Sequence, residues 1–230
     1  MSEVQGVTEN QFDTIRPPSM WLPAVAECVP GFDAAYLPDP APAGYAWCMV
    51  YAGGTAALHP WPDADVDRAI ATGYRLLPAW VPAPGSDDPK HAAASFVTWL
   101  EEWKVPRDTP LLWDMETAGQ PDAAWLNRAC DITAAASGKG DLNLVYGSTG
   151  TLFGLPARSG YFPADPTGSP HLVLRPQVAG TQYRWGVPVA NGALNFDQAP
   201  YSDVAQRSAA PGQVDLDVAV RELYAKMWKP

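Results

Sequence analysis

From residue 63 to residue 146 the chain alternates segments of helical and strand-like period, and after Phe153 the alternation stops. Residues 63–72 read as a helix and residues 74–80 as a strand. Pro82-Ala83-Pro84-Gly85-Ser86-Asp87 then leads into a longer helix over residues 88–103, with Asp at its cap and Pro in its first turn. Phe96, Trp99, Leu100 and Trp103 recur at helical spacing and form its buried stripe. A strand over residues 111–116, a helix over 121–136 with Trp125, Leu126 and Cys130 inward, and a strand over 142–146 complete the rhythm. Beyond them, residues 161–164, 178–183 and 193–196 read as strands, joined by Pro- and Gly-rich connectors too short for helices. This pattern predicts an α/β fold: a TIM-like (β/α) barrel whose outer helical ring is incomplete at its end.

The start of the chain removes a further helix. Strand-like segments at residues 31–36 and 45–51 are separated by Leu37-Pro38-Asp39-Pro40-Ala41-Pro42-Ala43-Gly44. Three prolines forbid a helix there, and the connector is shorter than a parallel crossover usually needs. The barrel is therefore expected to lack its first and its last outer helices. One side is then open, or covered by residues 1–30 or by a partner chain. Residues 1–30 are polar and then Pro-broken, an N-terminal arm or cap. The barrel is expected over residues 31–200, and residues 201–230 supply a linker and a C-terminal helix or closing strand.

Leu111-Leu112-Trp113-Asp114-Met115-Glu116 carries the sharpest chemical signal. Alternation on a strand puts Asp114 and Glu116 on the face of Leu112, roughly 6–7 Å apart, with Leu111, Trp113 and Met115 on the other. Two like charges at the end of an apolar strand are costly, and the spacing suits acid-assisted cleavage of a glycosidic bond. A solvated strand exit is the plainer alternative. In a parallel barrel, functional groups gather at the C-terminal strand ends. Asp33, Tyr146, Gln182 and Asp197 join the acid pair on that rule. Asp33 is hard to explain by packing alone, and Tyr146 suits a hydrogen bond to a sugar or an acid. Of the ten tryptophans, most fall on core stripes; Trp80 and Trp185, at strand ends, are the candidate sugar platforms.

Composition excludes several other functions. A net charge of −10 with no Lys/Arg cluster disfavours nucleic acid and anionic membranes as partners. No apolar run approaches the ~18 residues of a membrane span, and residues 1–10 lack the pattern of a signal peptide. The expectation is cytoplasmic synthesis, with any wall substrate reached on lysis or from a virion. Cys28, Cys48 and Cys130 are scattered and read as buried hydrophobes. His59, His91 and His171 lack metal-ligand spacing, and Asp63, Asp65 and Asp67 read as an acidic first helical turn. Neither a nucleophile elbow nor a P-loop is present, so no metal or cofactor is expected.

Five motifs in order, Gly31-Phe32-Asp33-Ala34, Leu112-Trp113-Asp114-Met115-Glu116, Asn143-Leu144-Val145-Tyr146-Gly147-Ser148, Ala179-Gly180-Thr181-Gln182-Tyr183 and Leu194-Asn195-Phe196-Asp197, resemble the glycoside hydrolase family 25 muramidases. They are more similar still to a bacterial and phage "glycoside hydrolase-like" barrel family that shares this plan and is largely uncharacterised. The resemblance implies a barrel without its last three helices and a peptidoglycan or related N-acetylated glycan as substrate. By position, it implies Glu116 as general acid, Asp114 as the group stabilising a substrate N-acetyl or developing positive charge, Asp33 as a support for the pair, and Asp197 facing them from the last strand. Enzymic nucleophile, substrate assistance and inversion all remain open, because carboxylate separation decides among them. The last-strand acid of the muramidases sits in a Val-Asp-Leu-like context, which Val214-Asp215-Leu216-Asp217-Val218 matches better. Asp215 is therefore the alternative to Asp197. A second functional class fits the same residues: a non-catalytic glycan-binding or structural barrel, in a phage tail or other assembly, with its open face against a second copy or an assembly partner.

Overall fold

The computed structural model describes residues 28–54, 60–82, 88–116, 122–138, 140–165, 167, 173, 177–190, 193–194 and 213–230. Its strands are β1 (Cys28–Asp33), β2 (Trp47–Gly53), β3 (Arg75–Trp80), β4 (Leu111–Asp114), β5 (Asn143–Ser148), β6 (Gly160–Ala164), β7 (Gly180–Ala190), β8 (Ala193–Leu194) and β9 (Gln213–Val220). Helices α1 (Asp63–Thr72), α2 (Pro89–Glu102) and α3 (Ala123–Ser137) follow β2, β3 and β4. The four-residue α4 (Thr149–Leu152) follows β5, and α5 (Arg221–Lys226) follows β9. Asp88 and Asp122 cap α2 and α3 by accepting the Lys90 and Trp125 amides, at 2.9 and 3.0 Å. Gly73 and Gly138 end α1 and α3 in the left-handed conformation that a glycine adopts without strain.

Strands β1 to β7 run parallel in sequence order, and β9 closes the ring by pairing antiparallel with both β7 and β1. The result is a closed eight-stranded barrel, with β8 attached outside the ring to β7. The expected (β/α) alternation holds only from β2 to β5; the barrel is otherwise mostly strands, one of them antiparallel. The segment offered as closing strand or terminal helix is both, β9 and then α5.

Residues 34–46 contain no helix, as their prolines require. This side is nevertheless covered, by the connector itself. Arg68 of α1 donates to the carbonyls of Leu37 (2.6 Å) and Pro38 (2.9 Å), and Trp61 Nε1 donates to Ala34 O at 2.7 Å. Tyr74 donates its hydroxyl to the Pro42 carbonyl. Ala34, Leu37 and Tyr45 thereby pack with Phe32 on the outer face of β1.

Inside the barrel, Trp47, Met49, Leu77, Ala79, Leu112, Leu144, Tyr146, Phe162, Ala164 and Ala219 form one buried cluster. Trp47 is wholly buried, donates Nε1 to Val29 O at 3.0 Å, and meets Phe162 edge-to-face at 6.0 Å. It occupies the space that Gly31 leaves: a Cβ there would lie 2.1 Å from the indole. The end of the barrel where the parallel strands begin is plugged by Leu223 and Met227. Arg75 holds that plug in place, bonding the Tyr224, Ala225 and Met227 carbonyls and lying 4.8 Å over the Tyr224 ring. With one end plugged and the lumen filled by Trp47, polar chemistry is left to the other end.

Candidate functional site

At that other end, the C-terminal end of the parallel strands, the structure brings Asp33, Tyr51, Asp114, Glu116, Tyr146, Gln182 and Asp217 together. Asp33 is the last residue of β1 and Asp114 the last of β4. β4 ends at Asp114, so Glu116 lies on the segment just past the strand rather than within it. Asp114 Oδ1 accepts the Glu116 amide at 3.1 Å, a local turn that fixes one carboxylate relative to the other. The Met115 amide donates to Tyr146 O at 2.8 Å, which ties this turn to β5. Asp114 is buried and Glu116 half-buried, so Glu116 is the more accessible acid.

Asp33 is 2% exposed and is held from two sides. Gln182 Nε2 donates to its Oδ2 at 2.7 Å and the Tyr51 hydroxyl to its Oδ1 at 3.4 Å, and the buried Asp217 carboxyl lies close by. Burial pushes the Asp33 carboxyl up to about 6, and the neighbouring Gln182, Tyr51 and Asp217 side chains pull partly against that rise. Tyr146 is buried, and its phenol is raised well above its ordinary value. Burial is the main cause, followed by the nearby Glu116, Asp33, Tyr51 and Asp114. It therefore stays a neutral hydroxyl that can donate a hydrogen bond.

Gln182, expected to contact substrate, is 1% exposed and points at Asp33 instead. Trp80, expected as a sugar platform, faces outward from β3. It packs on Phe96 of α2 with ring centroids 5.5 Å apart and is 9% exposed. Because β3 is apolar on both faces, its sequence did not show which way Trp80 points. Trp185 is a β7 residue. Asp197 lies outside the described residues.

The residue that the sequence reading passed over is Asp217. It is wholly buried on β9, Cα partner of Gly31 on one side and of Gln182 on the other. Asp215, the alternative considered, is the Cα partner of Asp33. The signal was present in Val214-Asp215-Leu216-Asp217-Val218, two acids alternating with apolar residues. A separate cavity of about 160 Å³ lies at the opposite strand ends between α2 and α3, lined by Leu100, Val105, Leu111 and Asn143, away from these acids. No group of three or more His, Cys, Asp or Glu suited to hold a metal occurs among the described residues. Nor is any described helix long and apolar enough to cross a membrane.

Comparison with solved structures finds the same barrel fold in other proteins. A glycoside hydrolase family 25 lysozyme from Aspergillus fumigatus matches with a TM-score of 0.55, over 87% of this chain and 99% of its own, at 13% identity. An uncharacterized protein of B. stearothermophilus matches with a TM-score of 0.61, over 87% of this chain and 100% of its own, at 15% identity. A Tat-secreted protein of Mycobacterium tuberculosis, crystallised with L-tartrate, matches with a TM-score of 0.53, over 84% of this chain and 95% of its own, at 14% identity. No protein-family model and no curated protein sequence matches the chain. At these identities the likeness is one of fold, and the fold is that of the family 25 lysozymes.

Proposed function

We propose that the protein is a muramidase-like glycoside hydrolase that cleaves peptidoglycan or a related N-acetylated glycan. The observation that carries this reading is the Asp114–Glu116 turn at the barrel mouth, beside the buried Asp33 and the neutral hydroxyl of Tyr146. Glu116, the more accessible acid, gives its proton to the glycosidic oxygen as the carbon–oxygen bond breaks. Asp114 stabilises the positive charge that develops on the sugar, directly or through the substrate's N-acetyl group. Water then adds at the sugar carbon, and its proton returns to Glu116. Asp33 supports the pair from β1.

Turbidity clearing of purified cell walls tests the proposal. The wild type clears them, and Glu116→Gln slows clearing by at least about 10²-fold, the scale of a lost general acid. An inactive wild type on a panel of walls and N-acetylated glycans refutes it. The net charge of −10, unusual for a free-standing lysin that must approach an anionic wall, favours a second reading, a non-catalytic glycan-binding or structural barrel. Glycan binding without turnover distinguishes that reading from the first.

A further inference from the structure

The cavity between α2 and α3 has a volume of about 160 Å³. An apolar cavity of ~150 Å³ is large enough to hold benzene. Its walls are mainly apolar: Val97 and Leu100 on α2, Leu111 at the start of β4, Ala134 on α3 and Leu142 just before β5. Walls of that kind with a few polar groups at one side are the usual make-up of a small-molecule site.

The polar groups come from residues 103–110, the connector from α2 to β4. Lys104, Arg107 and Thr109 all line the cavity. Thr109 is 3% exposed and its amide is bound to Pro106 O, but its hydroxyl has no hydrogen-bond partner among the described residues. Thr133 and Asn143 line the cavity too, yet Thr133 is bound to Asn143, and Asn143 to Trp113. A buried hydroxyl without a partner is costly, so Thr109 is the polar group left for a ligand. Lys104 and Arg107 are exposed at the rim, and neither forms an ion pair among the described residues. Lys104 also turns the chain out of α2 at φ 54°, the left-handed conformation in which α1 and α3 end on Gly73 and Gly138. A long cationic side chain is thus kept where glycine would be less strained.

We propose that this cavity binds a small aryl monocarboxylate of benzoate size. The ring lies between α2 and α3, and the carboxylate faces Lys104, Arg107 and the Thr109 hydroxyl. Glu101 is the acidic residue of the described lining, so the two cations leave one positive charge in excess, in a chain of net charge −10. The C-terminal ends of α2 and α3 also lie here, and their partial negative charge opposes an anion. The Lys104, Val105 and Gly138 amides cap the Glu101, Leu100 and Ala134 carbonyls and weaken that opposition. The site shares no residue with the barrel mouth and stands whether or not the protein cleaves glycans.

Titration of the full chain with sodium benzoate, followed by ¹H–¹⁵N NMR, tests the proposal. Benzoate is expected to shift the amides of residues 97–109 and 133–143 and to leave those of Asp33, Asp114 and Glu116 unmoved. Benzyl alcohol, neutral and of similar size, should bind at least about fivefold more weakly, the scale of an exposed ion pair, and benzylamine should not bind. Lys104→Gly keeps the backbone conformation that glycine favours, so the variant should fold as the wild type does and bind benzoate about fivefold more weakly. Ala134→Leu fills the cavity and should abolish binding. Absence of benzoate shifts in these residues overturns the proposal, as do shifts centred on the barrel mouth. Benzyl alcohol or benzylamine binding as tightly as benzoate, an unchanged affinity in Lys104→Gly, or retained binding in Ala134→Leu overturns it equally.

Discussion

Gly31→Ala is expected to be among the most damaging single-methyl additions in the protein. The new Cβ would sit 2.1, 2.2 and 2.6 Å from Cε2, Cδ2 and Cζ2 of Trp47, against a relaxed carbon–carbon contact of about 3.5–4.0 Å. The indole cannot step aside. It is wholly buried, its N–H is bound to Val29 O, and its ring lies against Phe162. Overpacking of this kind costs about 1–3 kcal/mol, and loss of the indole hydrogen bond adds about 1 kcal/mol. Relief of the glycine's chain entropy offsets about 0.4–1 kcal/mol. The net expectation is about 1–3.5 kcal/mol of destabilisation in urea unfolding followed by far-ultraviolet circular dichroism. Trp47→Phe in the same background should recover part of the loss, giving a coupling of at least about 1 kcal/mol in the double-mutant cycle. If Gly31→Ala unfolds within 0.5 kcal/mol of wild type, or if the cycle is additive, the account of the lumen as a glycine–tryptophan fit is wrong.

Two further outcomes follow from buried polar groups. The Asp33 carboxyl is raised from 3.8 to about 6, so the folded chain keeps a proton that the unfolded chain has lost over that range. Its contribution is full below about pH 4 and is lost as pH rises through 6, at up to about 1.4 kcal/mol per pH unit. Asp33→Asn should flatten that part of the stability–pH curve, and an unchanged slope would contradict the assignment. Asn143 accepts from Trp113 Nε1 at 2.9 Å and Thr133 Oγ1 at 2.8 Å, and donates to Cys130 O and Asp141. Asn143→Ala leaves the buried Trp113 indole N–H without its acceptor, while Thr133 and Cys130 O keep each other, and should cost about 1–3 kcal/mol in urea unfolding, with a loss below 0.5 kcal/mol counting against the network.

The strands and helices from residue 63 to 148 were legible because each carries its own periodicity and caps. α1 spans the predicted 63–72, and α2 lies within the predicted 88–103. Asp33, Asp114 and Tyr146 were legible as polar residues at the ends of apolar strands. What the sequence hid was long-range. Nothing local to residues 213–220 shows that this strand runs antiparallel and seals the ring, so Asp217 was read past and Asp197 and Asp215 were weighed instead. The inward and outward faces of β3 were equally hidden, because Leu76, Leu77, Pro78, Ala79 and Trp80 offer no polar residue to mark the solvent side.

The pairing of Cys28 with Val220 means that the first strand waits for the last. During synthesis, β1 through β7 can assemble only as an open sheet, with β1 and β7 both exposed as edges. Ring closure becomes possible once β9 has left the ribosome, and it brings together residues separated by nearly the whole barrel sequence. Contacts of such long range slow folding and expose strand edges meanwhile. The same closure brings Gln182 to Asp33, so the mouth of the barrel acquires its chemistry in the step that ends its exposure to aggregation.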